Sequence, residues 1–189
     1  MKSTSSSAVA PGVGAGVLRR AAQVGFVLLL QAAILCVSSG KLDWTWAWVY
    51  MATFVASILV NSLFLRGRPE QIAERGSAGF RQDWDKAISL AWAVLFYLLL
   101  PLVAGLDQRF GWSPDLSLGV HILGWAGFAL GLALFSWAMI ANAYFSTVVR
   151  VQEERGHAVC TSGPYRAVRH PGYAGGLLAM IGMGVIYSN

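Results

Sequence analysis

The sequence contains few charged residues. Of its 189 residues, 12% are Asp, Glu, Lys or Arg, whereas 56% are hydrophobic. Soluble globular domains carry roughly a quarter charged residues because their surfaces must be solvated by water. The composition therefore excludes an ordinary soluble globule and predicts a membrane protein.

Cysteine and histidine are also scarce. The chain has two cysteines, Cys36 inside an apolar run and Cys160 in a polar segment, so we expect no disulfide framework. Its three histidines are His121, His157 and His170. They lack metal-ligand spacing with the cysteines, and we therefore predict no metal site.

Long apolar runs dominate the rest of the chain. Four of them are long enough, or nearly so, to cross ~30 Å of hydrocarbon. They cover residues 21–37, 46–65, 88–106 and 116–143. A fifth run, residues 174–187, would be only about 21 Å long as a helix. The sequence predicts an all-α polytopic transmembrane helical bundle with about five membrane segments, the last of them incomplete.

Basic residues alternate along the chain rather than forming one patch. They cluster before the first run, between the second and third, and after the fourth, while the other two connections hold only Lys41 and Arg109. The net charge of +5 is thus distributed by topology, and we do not expect nucleic-acid binding. The positive-inside rule predicts a cytoplasmic N-terminus and a cytoplasmic segment after the fourth span.

Residues 1–18 differ in composition from the rest of the chain. They are rich in Ser, Ala and Gly, which predicts a flexible cytoplasmic tail. Residues 19–189 then form a single membrane domain. The basic pair Arg19-Arg20 before an apolar run also suits a secretory signal peptide, but the near-membrane length of the run favours a retained span.

Several features of the spans predict contacts between helices. The aromatic residues at 44–50 indicate a belt at the water interface. Asn61 suggests an interhelical hydrogen bond, and Gly127 with Gly131 suggests a close helix contact, within this chain or in a dimer. His121 is a polar residue in a span and hence a candidate site residue, although it lies near the interface.

Residues 66–86 form the first substantial polar segment. Mixed charges and the glycines at 76 and 79 predict an interfacial helix interrupted at those glycines. The segment is either a solvated membrane-surface loop or a lid over a pocket on the same face.

Chemically versatile side chains are concentrated in residues 150–173, which we call the polar island. Arg150, Arg169 and His170 could donate hydrogen bonds to a carboxylate, and Tyr165 and Tyr173 offer rings for a purine or a cation. By residue type alone, the island would suit S-adenosylmethionine, a nucleotide or a phosphorylated lipid headgroup.

Two short motifs in the island narrow this choice. The sequence TSGPY at 161–165, followed by RHPGY at 169–173, resembles the superfamily of isoprenylcysteine carboxyl methyltransferases and phospholipid methyltransferases. The resemblance implies an integral-membrane methyltransferase with S-adenosylmethionine as cofactor. It implies these cofactor-binding positions, several acting through the backbone: Arg150, His157, Ala158, Val159, Cys160, Tyr165, His170, Pro171, Gly172 and Tyr173. Arg150 stands where eukaryotic members have Gln.

The acceptor determines what the catalytic residues must do. A carboxylate is already nucleophilic and needs only alignment and exclusion of water. A lipid amine must lose a proton, and His170 or Glu153 would then receive it. The run from His to Tyr in the island is closer to the carboxyl branch, which slightly favours carboxyl O-methylation. A site at the membrane surface predicts a lipophilic acceptor, either a small molecule or a lipid-modified one.

Two further functions remain open. Members of the superfamily continue beyond the position of residue 189 with a helical hairpin and a segment that completes the cofactor and substrate sites. We therefore expect a truncated or diverged member, which could be a non-catalytic membrane scaffold or binder. A membrane enzyme of the sterol reductase type, which uses a nicotinamide cofactor, is the other alternative.

Overall fold

The structure, a computed structural model, describes residues 12–77, 83–145, 156 and 158–188. All regular elements within these ranges are helical. They are α1 (Val13–Ser39), α2 (Thr45–Leu65), α3 (Pro69–Ser77), α4 (Asp83–Val94), a π-helical turn (Leu95–Leu99), α5 (Leu100–Phe110), α6 (Leu118–Ala141), a 3₁₀ turn (Gly163–Arg166) and α7 (Pro171–Tyr187).

Four helical stretches are long and apolar enough to cross a membrane. They are α1, α2, the continuous stretch Lys86–Phe110 and α6, and the 17-residue α7 is a shorter apolar helix. The predicted all-α polytopic bundle with a short last segment is confirmed. Because α1 begins at Val13, it extends into the segment that we assigned to the tail. The division into tail and membrane domain stays a prediction.

Aromatic side chains form the centre of the bundle. Tyr50 and Phe128 are fully buried, and their ring centroids lie 5.0 Å apart. Tyr187 of α7 lies 5.0 Å from Tyr50 and 5.7 Å from Trp44. The predicted interfacial belt is therefore wrong for Trp44 and Tyr50, which are core residues. Trp48 remains half exposed, as a belt residue should be.

Helices α6 and α7 pack against each other along glycines. A Cβ atom built on Gly131 would lie 2.7 Å from the carbonyl oxygen of Gly175, and one on Gly182 would lie 2.6 Å from that of Gly124. Only glycine permits such a close approach between backbones. The small-residue face of α6 thus makes an intramolecular contact, and the two helices form an antiparallel hairpin.

Helix α3 lies beneath the C-terminal end of α6. Its Gln71 Nε2 donates to the carbonyl oxygens of Met139 (2.9 Å) and Asn142 (3.1 Å), and Arg68 Nη1 donates to that of Ile140 (3.1 Å). The last carbonyl groups of a helix lack the usual acceptor pairing within that helix, so these hydrogen bonds from α3 help to satisfy the end of α6. The predicted helix is confirmed, but it runs through Gly76, so the break predicted there is wrong. Gly79 lies outside the described residues, and the position of the helix at the membrane interface stays a prediction.

A polar contact also joins α2 to α6. Asn61 Nδ2 donates to Ser136 Oγ at 3.0 Å, which confirms the predicted interhelical bond. Together, α2 and α3 hold the end of α6 from which the polar island begins.

Candidate functional site

The first part of the polar island is held by a turn directly after α6. Asn142 Oδ1 accepts a hydrogen bond from the backbone N–H of Tyr144 (2.9 Å), a local turn that asparagine favours. The Tyr144 hydroxyl donates to the carbonyl oxygen of Gly156 at 2.8 Å. The end of α6 therefore positions the start of the island through hydrogen bonds.

The TSGPY motif folds into a 3₁₀ turn that packs on the same end of α6. Gly163 has a positive φ of 56°, and a Cβ there would lie 3.0 Å from Ala141 Cβ and 3.1 Å from Trp137 Nε1. Pro164 is buried at the start of the turn. Glycine is required here both by backbone conformation and by limited space.

Tyr165 joins this turn to Asn142. The Tyr165 hydroxyl accepts a hydrogen bond of 3.4 Å from Asn142 Nδ2. Burial raises the pKa of Tyr165 above its usual value of 10, so the hydroxyl stays protonated at neutral pH. Cys160 contacts the same helix end, because its Sγ lies 3.5 Å from the carbonyl oxygen of Ala141.

The RHPGY motif starts α7. His170 precedes the helix without capping it through its side chain, and Pro171 occupies the first turn. Gly172 lies under the ring of Phe145, since a Cβ there would be 3.0 Å from Phe145 Cε2. The rings of His170 and Tyr173 stack with their centroids 5.6 Å apart, and Tyr173 is 70% exposed. The motif thus presents a stacked, accessible ring pair.

The structure brings two groups of predicted site residues to one end of the α6–α7 hairpin. Cys160 and Tyr165 contact the end of α6, while the segment 170–173 forms the start of α7. Ala158 and Val159 are exposed in the segment before them. Arg150, Glu153 and His157 lie outside the described residues. The roles assigned to all these positions remain predictions.

Arg75 of α3 is a residue of this region that sequence reasoning missed. Its Nη1 donates to Met139 Sδ, and its Cζ lies 5.4 Å from the centroid of the Phe145 ring. Burial, with the nearby charge of Arg20, lowers the pKa of Arg75 to about 10. It remains protonated at neutral pH. No local pattern distinguishes Arg75 from the other arginines of residues 66–86.

His121 lies at the opposite end of the bundle. Its ring stacks on that of Trp46 with the centroids 4.7 Å apart. Its Nδ1 lies 3.3 Å from the carbonyl oxygen of Ser117, and its Nε2 lies 3.0 Å from that of Ser188. It borders an open cleft of about 450 Å³ between α2, α5 and α6. His121 is therefore remote from the polar island. Across the described part of the chain, no three His, Cys, Asp or Glu side chains are grouped as for a metal ion.

One comparison with known proteins agrees with this geometry. The family model described as phospholipid methyltransferase matches residues 120–189, which comprise most of α6, the island and α7. No curated protein and no solved structure matches the chain. The hairpin and its two motifs thus agree with the resemblance drawn from the sequence. Residues 120–189 are therefore similar to the phospholipid methyltransferase family, which is part of the superfamily that also includes the isoprenylcysteine carboxyl methyltransferases.

Proposed function

We propose that this protein is an integral-membrane, S-adenosylmethionine-dependent methyltransferase that acts on a lipophilic acceptor, with the N-terminus and the cofactor site on the cytoplasmic side. One observation carries the proposal: the region matched by the methyltransferase family is the hairpin whose two island motifs meet at one end. The alternation of basic residues supports the orientation.

The residues near the start of α7 suit the cofactor chemically. S-adenosylmethionine, when bound, supplies an electrophilic methyl group. The stacked pair of His170 and Tyr173 offers an exposed aromatic face for an adenine or a sulfonium cation. Arg166 and Arg169 are exposed cations that could bind the cofactor's carboxylate.

Other residues of the hairpin would hold these groups in place. The buried Pro171 and the packing of Gly172 under Phe145 orient the first turn of α7. Tyr165 and Cys160 attach the preceding segment to α6. We assign Tyr165 a positioning role, since its hydroxyl already bonds with Asn142. Ala158 and Val159 would contribute their backbone groups.

In this proposal, the lipophilic acceptor reaches the site from the membrane. A carboxylate acceptor requires no base, and we slightly favour it because of the sequence of the island. The family match equally suits an amine acceptor. In that case His170, which is exposed beside Tyr173, would receive the amine proton.

Cofactor binding tests the proposal directly. We expect the detergent-purified chain to bind S-adenosylhomocysteine in titration calorimetry, and Tyr173→Ala to weaken binding about tenfold, because aromatic stacking on a base contributes ~1–3 kcal/mol. His170→Ala should act in the same direction. Neither change removes a side-chain cap from α7, so the fold should persist.

Phe110→Ala is the matched control for these variants. Phe110 also belongs to an exposed aromatic pair, with its centroid 5.8 Å from that of Trp112, but at the opposite end of the bundle. The Phe110→Ala change should leave the affinity for S-adenosylhomocysteine unchanged. Absence of binding by the wild-type chain would contradict the proposal and favour the scaffold or reductase alternatives.

The pH dependence of methyl transfer should identify the acceptor class. With a lipophilic carboxylate, the rate should be nearly flat above about pH 6, because the carboxylate is already ionised. With a lipophilic amine, the rate should rise with pH as the amine loses its proton. Transfer of labelled methyl to each acceptor in vesicles measures both profiles.

A further inference from the structure

Arg75, in the last turn of helix α3, contacts the segment that leads from α6 into the polar island. Its Nη1 donates to Met139 Sδ in α6, and its Cζ lies over the Phe145 ring, 5.4 Å from the ring centroid. Burial lowers the pKa of Arg75 only to about 10, so the guanidinium is positively charged at neutral pH. A cation therefore faces the ring of Phe145.

Other side chains already dock α3 beneath α6. Gln71 and Arg68 donate to three carbonyl oxygens at the end of α6. Arg75 Nε, in contrast, is buried and has no hydrogen-bond partner among the described residues. A buried polar group without a partner is costly unless another contact compensates it. A cation over an aromatic ring is such a contact, and it is stronger where water is excluded.

The Phe145 ring in turn packs against the first turn of α7. A Cβ built on Gly172 would lie 3.0 Å from Phe145 Cε2 and 3.1 Å from its Cζ, so the ring lies directly against the backbone there. Phe135 of α6 meets the same ring at an angle of 84°, with the centroids 5.4 Å apart. The position of Phe145 is thus set by contacts with α3, α6 and α7.

That first turn of α7 carries the stacked ring pair. The backbone N–H groups of Tyr173 and Ala174 both donate to the carbonyl oxygen of His170 at 3.1 Å, which closes the turn. Gly172 directly precedes Tyr173 in the chain. A shift of the Phe145 ring would therefore displace the backbone that orients the Tyr173 side chain. A contact that fixes Phe145 also fixes the ring pair of His170 and Tyr173.

We propose that Arg75 is a positioning residue for the cofactor site, and that it acts through the Phe145 ring on the first turn of α7. The inference rests on the proposed function, because the ring pair that it orders is the one assigned to S-adenosylmethionine. The positive charge is the essential property. It attracts the negative face of the ring, whereas a neutral side chain of similar length would only fill space.

Hydrogen exchange tests the positioning role without the cofactor, on the detergent-purified full chain. Arg75→Met keeps the approximate length of the side chain but removes its charge. It should speed exchange of the Tyr173 and Ala174 amides about fivefold, because the turn opens more often. Arg75→Lys keeps the charge and should stay within about twofold of wild type. Mass spectrometry of peptides that cover residues 171–176 measures both variants.

The affinity for S-adenosylhomocysteine tests the consequence for the site. Arg75→Met should weaken binding about fivefold, because the ring pair is less often in the arrangement that binds. Arg75→Lys should again remain close to wild type. Phe145→Leu removes the ring itself, and its combination with Arg75→Met should add little further loss, because the two residues act through one contact. Titration calorimetry measures all four proteins.

Arg68→Met is the matched control. Arg68 is an exposed arginine that also donates to the end of α6, at the carbonyl oxygen of Ile140, and no described contact joins it to Phe145. Arg68→Met should change both exchange and affinity less than about twofold. If it acts as strongly as Arg75→Met, the docking of α3 is responsible and the proposal is overturned. Equal losses in Arg75→Lys and Arg75→Met would overturn it as well.

Phe145→Leu keeps the proposal testable if the Arg75→Met protein does not fold. The Phe145 ring belongs to a different element from Arg75, and its removal should also speed exchange of the Tyr173 and Ala174 amides. Unchanged exchange in Phe145→Leu would show that the ring does not hold the first turn of α7. The positioning role of Arg75 would then be wrong.

The two measurements separate this inference from the proposed function. If the wild-type chain binds S-adenosylhomocysteine but Arg75→Met alters neither exchange nor affinity, the positioning role is wrong and the proposed function stands. If the wild-type chain does not bind S-adenosylhomocysteine, the proposed function fails, and the role of Arg75 in the cofactor site fails with it. Faster exchange in Arg75→Met would in that case show only that α3 and α7 are coupled through Phe145.

Discussion

Gly175→Ala should destabilise the protein by about 2 kcal/mol, whereas Gly176→Ala should leave its stability unchanged or slightly higher. A Cβ on Gly175 would lie 2.7 Å from both the Gly131 carbonyl oxygen and the Phe135 backbone nitrogen. Both are helix backbone atoms, so α7 would have to move away from α6. At Gly176 nothing lies within 4 Å of the new methyl group, and alanine favours the helix.

Unfolding of the two variants in mixed detergent and dodecyl sulfate micelles, followed by circular dichroism, measures this difference. Because α7 begins with the RHPGY motif, Gly175→Ala should also weaken S-adenosylhomocysteine binding. The neighbouring Gly176→Ala controls for the loss of a glycine from the same turn of helix. Equal stabilities for the two variants would show that α6 and α7 do not approach each other this closely.

Gln71→Glu should cost about 3 kcal/mol of stability at neutral pH. Gln71 Nε2 now donates to the carbonyl oxygens of Met139 and Asn142, and a carboxylate of the same shape could donate to neither. It would instead place a negative charge at the C-terminal end of α6, where the helix dipole is unfavourable to anions. The docking of α3 beneath α6 should loosen.

The pH dependence of this variant gives the prediction a definite sign. Burial beside carbonyl oxygens raises the pKa of the introduced carboxyl above its unfolded value. The loss of stability should therefore be complete above the pKa that this carboxyl has in the folded protein. It should decrease as the pH falls through that pKa, because the protonated acid can donate a hydrogen bond again. Thermal melts of Gln71→Glu and wild type between about pH 4 and 8 measure the difference between them.

Glu70→Gln serves as the control, because Glu70 is the exposed neighbour in the same turn of α3. It changes the charge in the opposite direction, at a side chain that faces solvent rather than the end of α6. We expect a stability change below about 1 kcal/mol. Equal melting temperatures for Gln71→Glu and wild type across this pH range would show that Gln71 does not stabilise the end of α6 through its hydrogen bonds.

The sequence predicted the two motifs of the candidate site but not the residues that pack around them. TSGPY and RHPGY are contiguous, and contiguous residues with prolines and glycines at set positions largely determine their own local turns. Arg75 could not be selected in the same way. Its proximity to Phe145 depends on how α3 docks beneath α6, which brings together residues far apart in the chain.

The aromatic residues after α1 illustrate the same limit. Trp44 and Tyr50 have the composition of an interfacial belt, yet both are buried against Tyr187. Trp48, on another face of α2, is exposed as a belt residue would be. Composition describes the whole segment, whereas the direction in which each ring points depends on the rotation of α2 against its neighbours.

The sequence by itself determined the class of the fold, the number and approximate limits of the apolar helices, and the position of the two methyltransferase motifs. These depend on hydropathy, helix length and local turn residues, which are properties of short stretches of chain. Only the tertiary structure decided that α6 and α7 pack through glycines, that α3 donates hydrogen bonds to the end of α6, and that Arg75 lies over the Phe145 ring. Those features depend on contacts between distant segments, and such contacts are set by the packing of the whole bundle.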